Sequence, residues 1–291
     1  MQNNEPKTSK GLIALDIDGT ITDGTHLIHP KVSGFLHSLH QVGWELIFIT
    51  GRSFQWSYRT LSVLPFSFGL AVQNGAILLD MPSKQILATK QLDHSIIPQL
   101  EKISVDNGID CVIYGGFTQD DRCFYRPQFY HPDLLKYLLK RKNELKENWQ
   151  EIECYSELPL KEFASIKYFS SGKEAEFISR LISEQLSLHA PYIRDAYDSR
   201  YAVIQATHPE ATKGNALERY IDLKKIRGPV IAAGDDKNDL TMLLKADMPI
   251  AMENAPDSLL KLARVVAPLA EKQGIIEGLS SAIQKLSTIG D

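Results

Sequence analysis

The stretch Gly11-Leu12-Ile13-Ala14-Leu15-Asp16-Ile17-Asp18-Gly19-Thr20 decides the fold of this chain of 291 residues. It begins with an apolar run of strand length and ends in two carboxylates and a glycine. A run that is apolar on both faces predicts a strand inside a parallel sheet that helices cover on both sides. Open sheets of this kind bind ligands at the carboxyl ends of their strands. We therefore expect Asp16 and Asp18 to lie where such a sheet places its chemistry.

The residues that follow repeat the alternation of strand and helix. Apolar residues with helical spacing over 30–42 predict a helix, and Trp44–Ile49 has the pattern of a second strand. Strand, helix and strand within about 40 residues are typical of a right-handed crossover. A helix over 54–64 and a strand over 69–73 come next, and Asn74-Gly75 indicates a turn into a hairpin.

The pattern changes over residues 84–206, where short alternating segments are mixed with amphipathic ones. This mixture favours an α+β unit with an antiparallel sheet. After Thr207 the strand–helix alternation returns, so we predict an α/β core of residues 1–83 and 207–291 interrupted by a domain of residues 84–206. The helices predicted inside the insertion cover about 95–107, 132–147 and 173–188.

Composition bounds the partners and the location. A net charge of −4 gives no global basic field for nucleic acid, so we expect no nucleic-acid partner. No apolar stretch is long enough to span a membrane, and no apolar run of a signal peptide precedes Gly11. The three cysteines form no CxxC pair and are odd in number, which indicates a reducing compartment. We therefore expect a cytoplasmic protein with no membrane partner.

Two acidic clusters follow predicted strands. Asp16 and Asp18 are two residues apart, so both side chains can face one crevice. Carboxylates this close repel each other unless a cation or a shared proton lies between them, and Mg²⁺ is the commonest ion beside phosphates. The second cluster, at 234–239, reads Gly-Asp-Asp-Lys-Asn-Asp and follows the apolar strand 229–233. A metal site is one interpretation of each cluster, and an aspartate-capped turn or an acidic loop is the other.

Two shorter motifs are suited to an anion. Thr50 and Gly51 end the second predicted strand, where a hydroxyl and a free backbone N–H can hold a phosphate oxygen. Lys213 begins a predicted helix over 213–225. Its ammonium and the unpaired backbone N–H groups of the first helical turn would both attract an anion there. Taken alone, each motif is better explained as a plain strand end or a solvated lysine, so their combination carries the argument.

Together the motifs at 16–20, 50–52, 213–214 and 234–239 resemble those of the haloacid dehalogenase superfamily, in particular its Cof-type (subfamily IIB) sugar-phosphatase branch. The match continues through 73–76 and 251–255 and covers about residues 11–83 and 207–286. The resemblance implies a Rossmann-like, doubly wound parallel sheet. It also implies an α+β cap in the long gap between Thr50 and Lys213.

The resemblance implies a phosphatase mechanism. Asp16 would attack the phosphorus of a phosphomonoester and form an aspartyl-phosphate. Asp18 would protonate the leaving oxygen and then activate the water that hydrolyses this intermediate. An acid that must cycle a proton is expected to have a raised pKa, so we expect the surroundings of Asp18 to raise it.

The remaining motif residues would hold the cofactor and the phosphoryl group. Mg²⁺ would be bound by the carboxylates of Asp16 and Asp235 and by the backbone carbonyl of Asp18. Asp239 would orient Lys213 or a metal-bound water from behind the ligands. The phosphoryl oxygens would be held by Thr50, Gly51, Lys213 and Asn238.

The predicted substrate is a small phosphorylated metabolite, with sugar phosphates first and flavin or pyridoxal phosphates next. Asn74, at the junction of core and cap, either contacts the substrate or only supplies the turn. The cations Arg122, Arg126, Lys167 and Arg194 could bind a second anionic group, although solvated surface charge explains each of them better. A phosphosugar mutase and a non-catalytic phospholigand-binding regulator stay open as alternatives, and so does the choice between monomer and dimer.

Overall fold

The computed structural model describes residues 9–195 and 197–289, which form two large sheets flanked by helices. The strands are β1 (Gly11–Leu15), β2 (Trp44–Ile49), β3 (Phe68–Val72), β4 (Ile77–Met81), β5 (Gln85–Thr89), β6 (Leu92–Asp93), β7 (Val112–Tyr114), β8 (Cys123–Tyr125), β9 (Trp149–Glu151), β10 (Glu162–Phe163), β11 (Ser165–Ser171), β12 (Tyr192–Arg194), β13 (Tyr201–Ala206), β14 (Val230–Gly234), β15 (Met248–Met252) and β16 (Val265–Ala267). The helices are α1 (Pro30–Gln41), α2 (Phe54–Leu61), α3 (Ile97–Asn107), α4 (Pro132–Leu145), α5 (Gly172–Leu186), α6 (Lys213–Lys224), α7 (Leu240–Leu243), α8 (Asp257–Leu262) and α9 (Ile275–Ile289).

The larger sheet has eight strands in the order β16-β15-β14-β1-β2-β3-β4-β5. The strands from β16 to β3 run parallel, and β4 and β5 extend the sheet as antiparallel strands. The chain passes from β1 to β2 on one side, and β14 lies on the other side of β1. The carboxyl ends of β1, β2 and β14 therefore meet at one edge, which is where the site is built.

Helices cover both faces of this sheet, as the fully apolar first strand predicts. On one face Ile13 and Leu15 pack with residues of α1 and α9. On the other face Leu12 and Ala14 pack with α6, α7 and α8. All five residues of β1 are buried, because the strand is enclosed by a second layer on each side. The predicted α/β class with a doubly wound sheet is confirmed.

The insertion forms a six-stranded sheet in the order β12-β13-β11-β7-β8-β9, antiparallel except between β8 and β9. On β11 the side chains alternate between two apolar clusters. Ile166 and Tyr168 pack with α3 and α5, whereas Phe169 packs with Tyr137 and Leu138 of α4. Lys167 shares the face of Phe169, because side chains two apart on a strand point the same way.

The edge strand β5 lies within the segment that the sequence assigns to the cap, and it pairs with β4 of the larger sheet. This sheet therefore continues beyond residue 83, to Thr89. The division into a core of 1–83 and 207–291 and a cap of 84–206 stays a prediction. Within the described ranges, no helix combines the length and the apolar character needed to cross a bilayer.

Candidate active site

Three adjacent parallel strands bring the predicted residues together. Asp16 follows β1 directly, Thr50 follows β2, and Asp235 follows β14. The strand ladder continues one step into the site, since the Asp16 N–H donates to Ala233 O at 3.0 Å and the Thr50 N–H donates to Ala71 O at 2.9 Å. These backbone bonds fix where the side chains begin, so the sheet itself positions them.

Lys213 is the ammonium at the centre of the site. Its Nζ donates to Asp16 Oδ1 and to Asp239 Oδ1, each at 2.6 Å, and the side chain is 1% exposed. The second oxygen of Asp239 accepts the backbone N–H groups of Asp235 at 3.0 Å and Asp236 at 3.1 Å. Both oxygens of Asp239 are therefore engaged by the protein, which suits a residue that holds Lys213 and the acidic loop in place.

The acidic cluster carries more negative charge than Lys213 can balance. Carboxylate oxygens of Asp16, Asp235 and Asp239 lie within 4.8 Å of one another. Burial and the neighbouring charge of Asp239 raise the pKa of Asp16 to about 7. Burial and the charge of Asp16 also raise the pKa of Asp235 well above its usual value. Burial alone would lower the pKa of Lys213, but the carboxylates of Asp16 and Asp239 raise it.

Crowded oxygen donors of this kind fit a hard divalent cation. Two carboxylates, Asp16 and Asp235, face each other with raised pKa values, and a cation between them would favour their charged forms. Mg²⁺ takes such oxygen ligands and binds beside phosphates. Asp235 also lies against Gly19, where an added Cβ would approach Asp235 Oδ2 to 2.2 Å, so the glycine keeps this space open.

Asp18 is held by Arg52 rather than left free. The guanidinium donates from Nε to Asp18 Oδ2 at 2.7 Å and from Nη2 to Asp18 Oδ1 at 2.5 Å. His26 Nδ1 lies 3.2 Å from the same Oδ1. Although burial opposes it, the guanidinium of Arg52 holds the pKa of Asp18 well below its usual range. The expectation of a raised pKa for Asp18 is wrong for this arrangement, because a two-pronged cation stabilises the carboxylate.

Thr50 and Gly51 form a narrow loop between the two sheets. The Thr50 hydroxyl accepts the Arg52 N–H at 3.1 Å. A Cβ on Gly51 would lie 2.7 Å from Gln205 Oε1, so a larger residue would collide with the cap. The Gly51 carbonyl accepts Gln205 Nε2 at 3.1 Å and Lys167 Nζ at 3.2 Å. The loop that is predicted to hold phosphate is therefore also the point where the cap docks.

Asn238 and Asn74 belong to an amide network at this junction. Asn238 Nδ2 donates to Asn74 Oδ1 at 3.2 Å, and Asn74 Nδ2 donates to Gln205 Oε1 at 3.3 Å. Asn74 is 1% exposed and has a left-handed backbone with φ of 56°, which suits the turn into β4. Both the oxygen and the nitrogen of the Asn74 amide therefore bond to other side chains of the protein. Its partners Asn238 and Gln205 line the cavity described next.

A cavity of about 730 Å³ opens between the strand ends and the insertion. Asp16, Asp18 and Thr50 line one wall, and Trp56 of α2 adds an aromatic face. The wall formed by the insertion includes Arg141, Lys167, Arg194, Asp195 and Gln205. The site thus combines a buried carboxylate, cationic groups and a cavity of substrate size.

The four cations that the sequence offers for a second anionic group have different surroundings in the structure. Arg126 is buried on Asp110, at 3.0 Å, and Arg122 bonds to Gln119. Lys167 and Arg194 line the cavity.

Sequence reasoning assigned no role to Arg52, Arg141 or Asp195, which also line the cavity. Arg141 Nε donates to Asp195 Oδ2 at 3.2 Å, and Tyr137 donates to the same oxygen. Burial raises the pKa of Asp195 to about 7. Arg52 follows Thr50-Gly51 directly, which was the one available signal, whereas only the tertiary fold brings Arg141 and Asp195 to the cavity.

Comparison with known proteins identifies the family of this chain. The family model described as haloacid dehalogenase-like hydrolase matches residues 13–279. Phosphoglycolate phosphatase of Methanobrevibacter smithii is 25% identical over 94% of this chain and 97% of its own. Pyridoxal phosphate phosphatase of Escherichia coli is 23% identical over 88% of this chain and 92% of its own. A solved HAD subclass IIB sugar phosphatase superposes with a TM-score of 0.74 at 18% identity, over 93% of this chain and 98% of that one.

The chain belongs to the haloacid dehalogenase-like hydrolases, since the family model spans most of its length. The match to the Cof-type branch that the motifs indicate is confirmed. It is an enzyme, a phosphoric monoester hydrolase, which agrees with the phosphatase names of its relatives.

Proposed function

We propose that this phosphatase hydrolyses a small phosphorylated metabolite through an aspartyl-phosphate intermediate, with Mg²⁺ as its cofactor. The observation that carries the proposal is the buried Lys213 held between Asp16 and Asp239 at 2.6 Å from each, beside Asp235 and at the edge of the cavity. The three comparisons with named phosphatases support it.

Asp16 is the proposed nucleophile. A carboxylate oxygen of Asp16 would form a bond to phosphorus while the ester bond to the leaving oxygen breaks. Lys213 favours the ionised form of Asp16 and lies where negative charge grows on the phosphoryl oxygens. The hydroxyl of Thr50, the N–H of Gly51 and the amide of Asn238 would hold the other oxygens of the phosphoryl group.

Asp18 is the proposed acid and base. It would give a proton to the leaving oxygen and later take one from the water that attacks the aspartyl-phosphate. The contact with Arg52 favours the carboxylate, which is the form that the second step needs. The first step needs the protonated form, so binding of the substrate must weaken the contact between Arg52 and Asp18.

The residues that would hold Mg²⁺ are Asp16 and Asp235 through their carboxylates and Asp18 through its backbone carbonyl. When bound, the ion supplies positive charge that neutralises phosphate oxygens and keeps Asp16 ionised. Asp239 stays behind this set, since its oxygens are taken by Lys213 and by the loop N–H groups.

Sugar phosphates are the first substrate class in this proposal. Relatives are named for phosphoglycolate and pyridoxal phosphate, and a structural neighbour is named a sugar phosphatase, so small monoesters form the common ground. We propose a cytoplasmic location.

Replacement of the nucleophile tests the mechanism. We expect Asp16→Asn to lower phosphate release from p-nitrophenyl phosphate and from a panel of phosphorylated metabolites by at least about 10⁴-fold, since an amide cannot form the aspartyl-phosphate. Circular dichroism should show an unchanged fold. The exposed Asp222→Asn on α6 is the matched control. Near-normal turnover by Asp16→Asn would reject the assignment.

The same assay separates the alternatives. A phosphosugar mutase would transfer the phosphoryl group between sugar positions without steady release of inorganic phosphate. A non-catalytic regulator would bind phosphorylated ligands and give a flat trace with Mg²⁺ present. Inorganic phosphate measured over many turnovers therefore supports the hydrolase and contradicts both alternatives.

A further inference from the structure

Lys167 is a buried ammonium on the insertion's wall of the cavity. It lies on β11, opposite Gln205 of β13 in the antiparallel register, so the two side chains share one face. The residue is 3% exposed and lines the cavity. Its Nζ donates to the Gly51 carbonyl at 3.2 Å and lies 4.4 Å from the centre of the Tyr114 ring.

Glu147 and Asp121 are the acidic groups near Lys167, and each is engaged elsewhere through at least one oxygen. Glu147 accepts Arg141 Nη1 at 2.8 Å and the indole N–H of Trp149 at 2.9 Å. Asp121 accepts the Gln55 N–H at 2.6 Å through Oδ2, and its Oδ1 has no hydrogen-bond partner among the described residues. Over residues 9–195 and 197–289, Lys167 forms no ion pair. Its recorded hydrogen bond uses one of three N–H donors.

An ammonium without a counter-ion is costly to bury, and an anion that enters beside it recovers that cost. Burial and the charge of Arg141 lower the pKa of Lys167 to about 8, so the side chain still carries its charge at neutral pH. Arg141 is less suited than Lys167 to bind an anionic ligand, because Glu147 and Asp195 already pair with its guanidinium. Lys167 is therefore a buried cation of this wall with free capacity for a ligand.

The position of Lys167 sets where that ligand lies. Gly51 offers its N–H to the proposed phosphate subsite and its carbonyl to Lys167. The two groups belong to one residue, so an anion on Lys167 would lie within about 10 Å of the transferring phosphoryl group. A single short substrate can therefore reach both places.

Resting on the proposed phosphatase activity, we propose that Lys167 binds a second anionic group of the substrate. The enzyme then prefers phosphomonoesters that carry a carboxylate or second phosphate close to the ester over equally small esters with a neutral leaving group. The specificity is one of charge, since an ammonium is a point charge with rotatable donors.

A matched pair of substrates tests this proposal. We would measure kcat/KM for 2-phosphoglycolate and for 2-hydroxyethyl phosphate, which differ in the carboxylate, with the wild-type enzyme, Lys167→Met and the exposed control Lys102→Met on α3. The phosphate arm compares propane-1,3-diyl bisphosphate with 3-hydroxypropyl phosphate. We expect the wild type to prefer the member that carries the second anionic group by at least about 10-fold, as charge-assisted hydrogen bonds imply.

In Lys167→Met we expect kcat/KM for that member to fall by about 10- to 100-fold, with the member that has a neutral leaving group changed by less than about 3-fold. Lys102→Met should keep the wild-type preference. Equal losses on both members would show that Lys167 only supports the Gly51 loop, and would overturn the proposal.

The wild-type ratios keep the proposal testable if Lys167→Met does not fold, since a ratio near one in both arms also overturns it. A preference in only one arm supports the proposal and identifies the anion. Failure of the wild type to release phosphate from any ester, p-nitrophenyl phosphate included, would instead reject the proposed function and the inference with it.

Discussion

Arg52 uses its whole guanidinium inside the protein. Besides its two bonds to Asp18, it donates from Nη1 to the Thr60 hydroxyl at 2.6 Å, and its Cζ lies 4.3 Å from the centre of the Trp56 ring. The side chain is 1% exposed. Only a planar fork can satisfy Asp18, Thr60 and Trp56 from one position.

Replacement of Arg52 by lysine should therefore be costly despite the retained charge. We expect Arg52→Lys to reduce kcat for p-nitrophenyl phosphate by about 10- to 100-fold, since Asp18, the proposed base of the second step, loses the bidentate contact that orients its carboxylate. The exposed Arg227→Lys is the control and should be neutral. Unchanged kinetics in Arg52→Lys would show that Asp18 needs no such orientation.

Lys167 should give the stability of the protein a distinct pH dependence. Its pKa is about 8 in the folded protein against 10.5 for the free side chain, so unfolding takes up a proton between these values. Its contribution to stability therefore rises with pH across this window. The free energy of unfolding of the wild type minus that of Lys167→Met should increase by about 2 kcal/mol from pH 7.5 to pH 9.5.

Urea unfolding at several pH values would measure this difference. The matched comparison with Lys102→Met should stay flat with pH, because that side chain is exposed. A flat difference for Lys167→Met as well would mean that its pKa is not lowered by burial.

The site residues that belong to sequence motifs could be predicted from the sequence. The site residues that only tertiary packing brings to the cavity could not. Asp16, Thr50 and Asp235 stand at strand ends, and periodicity locates strand ends well. Arg141 lies in the middle of α4 and Lys167 in the middle of β11, with no neighbouring signal. Their relation to the cavity depends on how the insertion docks on Gly51, which is a tertiary property.

At the scale of elements, the first turn of α6 packs closely against α7, and this contact positions Lys213. Gly214 is the second residue of α6, and a Cβ there would lie 2.4 Å from the backbone oxygen of Thr241. Gly34 in α1 is also helical, but a Cβ there would meet no atom within 4 Å. The two glycines form a matched pair for the same substitution.

We expect Gly214→Ala to destabilise the protein by about 1–3 kcal/mol, because backbone must shift to admit the methyl group. Phosphatase activity should fall with it, since Lys213 is the neighbouring residue. Gly34→Ala should instead stabilise by about 0.5–1 kcal/mol through the higher helix propensity of alanine. Urea unfolding measures both, and a stabilising Gly214→Ala would contradict the close fit.

Most core elements could be placed from periodicity, and the errors fall on weakly patterned ones. The helix predicted over 30–42 is α1, and the strand at 44–49 agrees with β2. The strand β5 was not predicted, because at the sheet edge its side chains are half-buried or exposed and show no alternation. The three-residue β16 is too short to show a period.

At the scale of the whole molecule, the mild net charge of −4 conceals a strongly uneven distribution. Three carboxylates lie close together on the core side of the cavity and Lys213 pairs with two of them, while Lys167 and Arg141 lie on the opposite wall. A phosphorylated anion is therefore attracted by local groups rather than by an overall field. The spacing of motifs could predict an insertion, but not which of its faces meets the core.

If the proposed Mg²⁺ site exists, this uneven charge should make the stability of the whole chain depend on the ion. An ion that binds the folded site and not the unfolded chain stabilises by mass action, and Asp16 and Asp235 repel each other until it arrives. We expect saturating Mg²⁺ to raise the midpoint of thermal unfolding by about 5 °C, and EDTA to reverse the shift.

EDTA should also abolish phosphate release, and added Mg²⁺ should restore it. Asp235→Asn should lose the thermal shift, whereas the surface control Asp222→Asn should keep it. Full activity and an unchanged midpoint in EDTA would remove the metal from both the fold and the reaction.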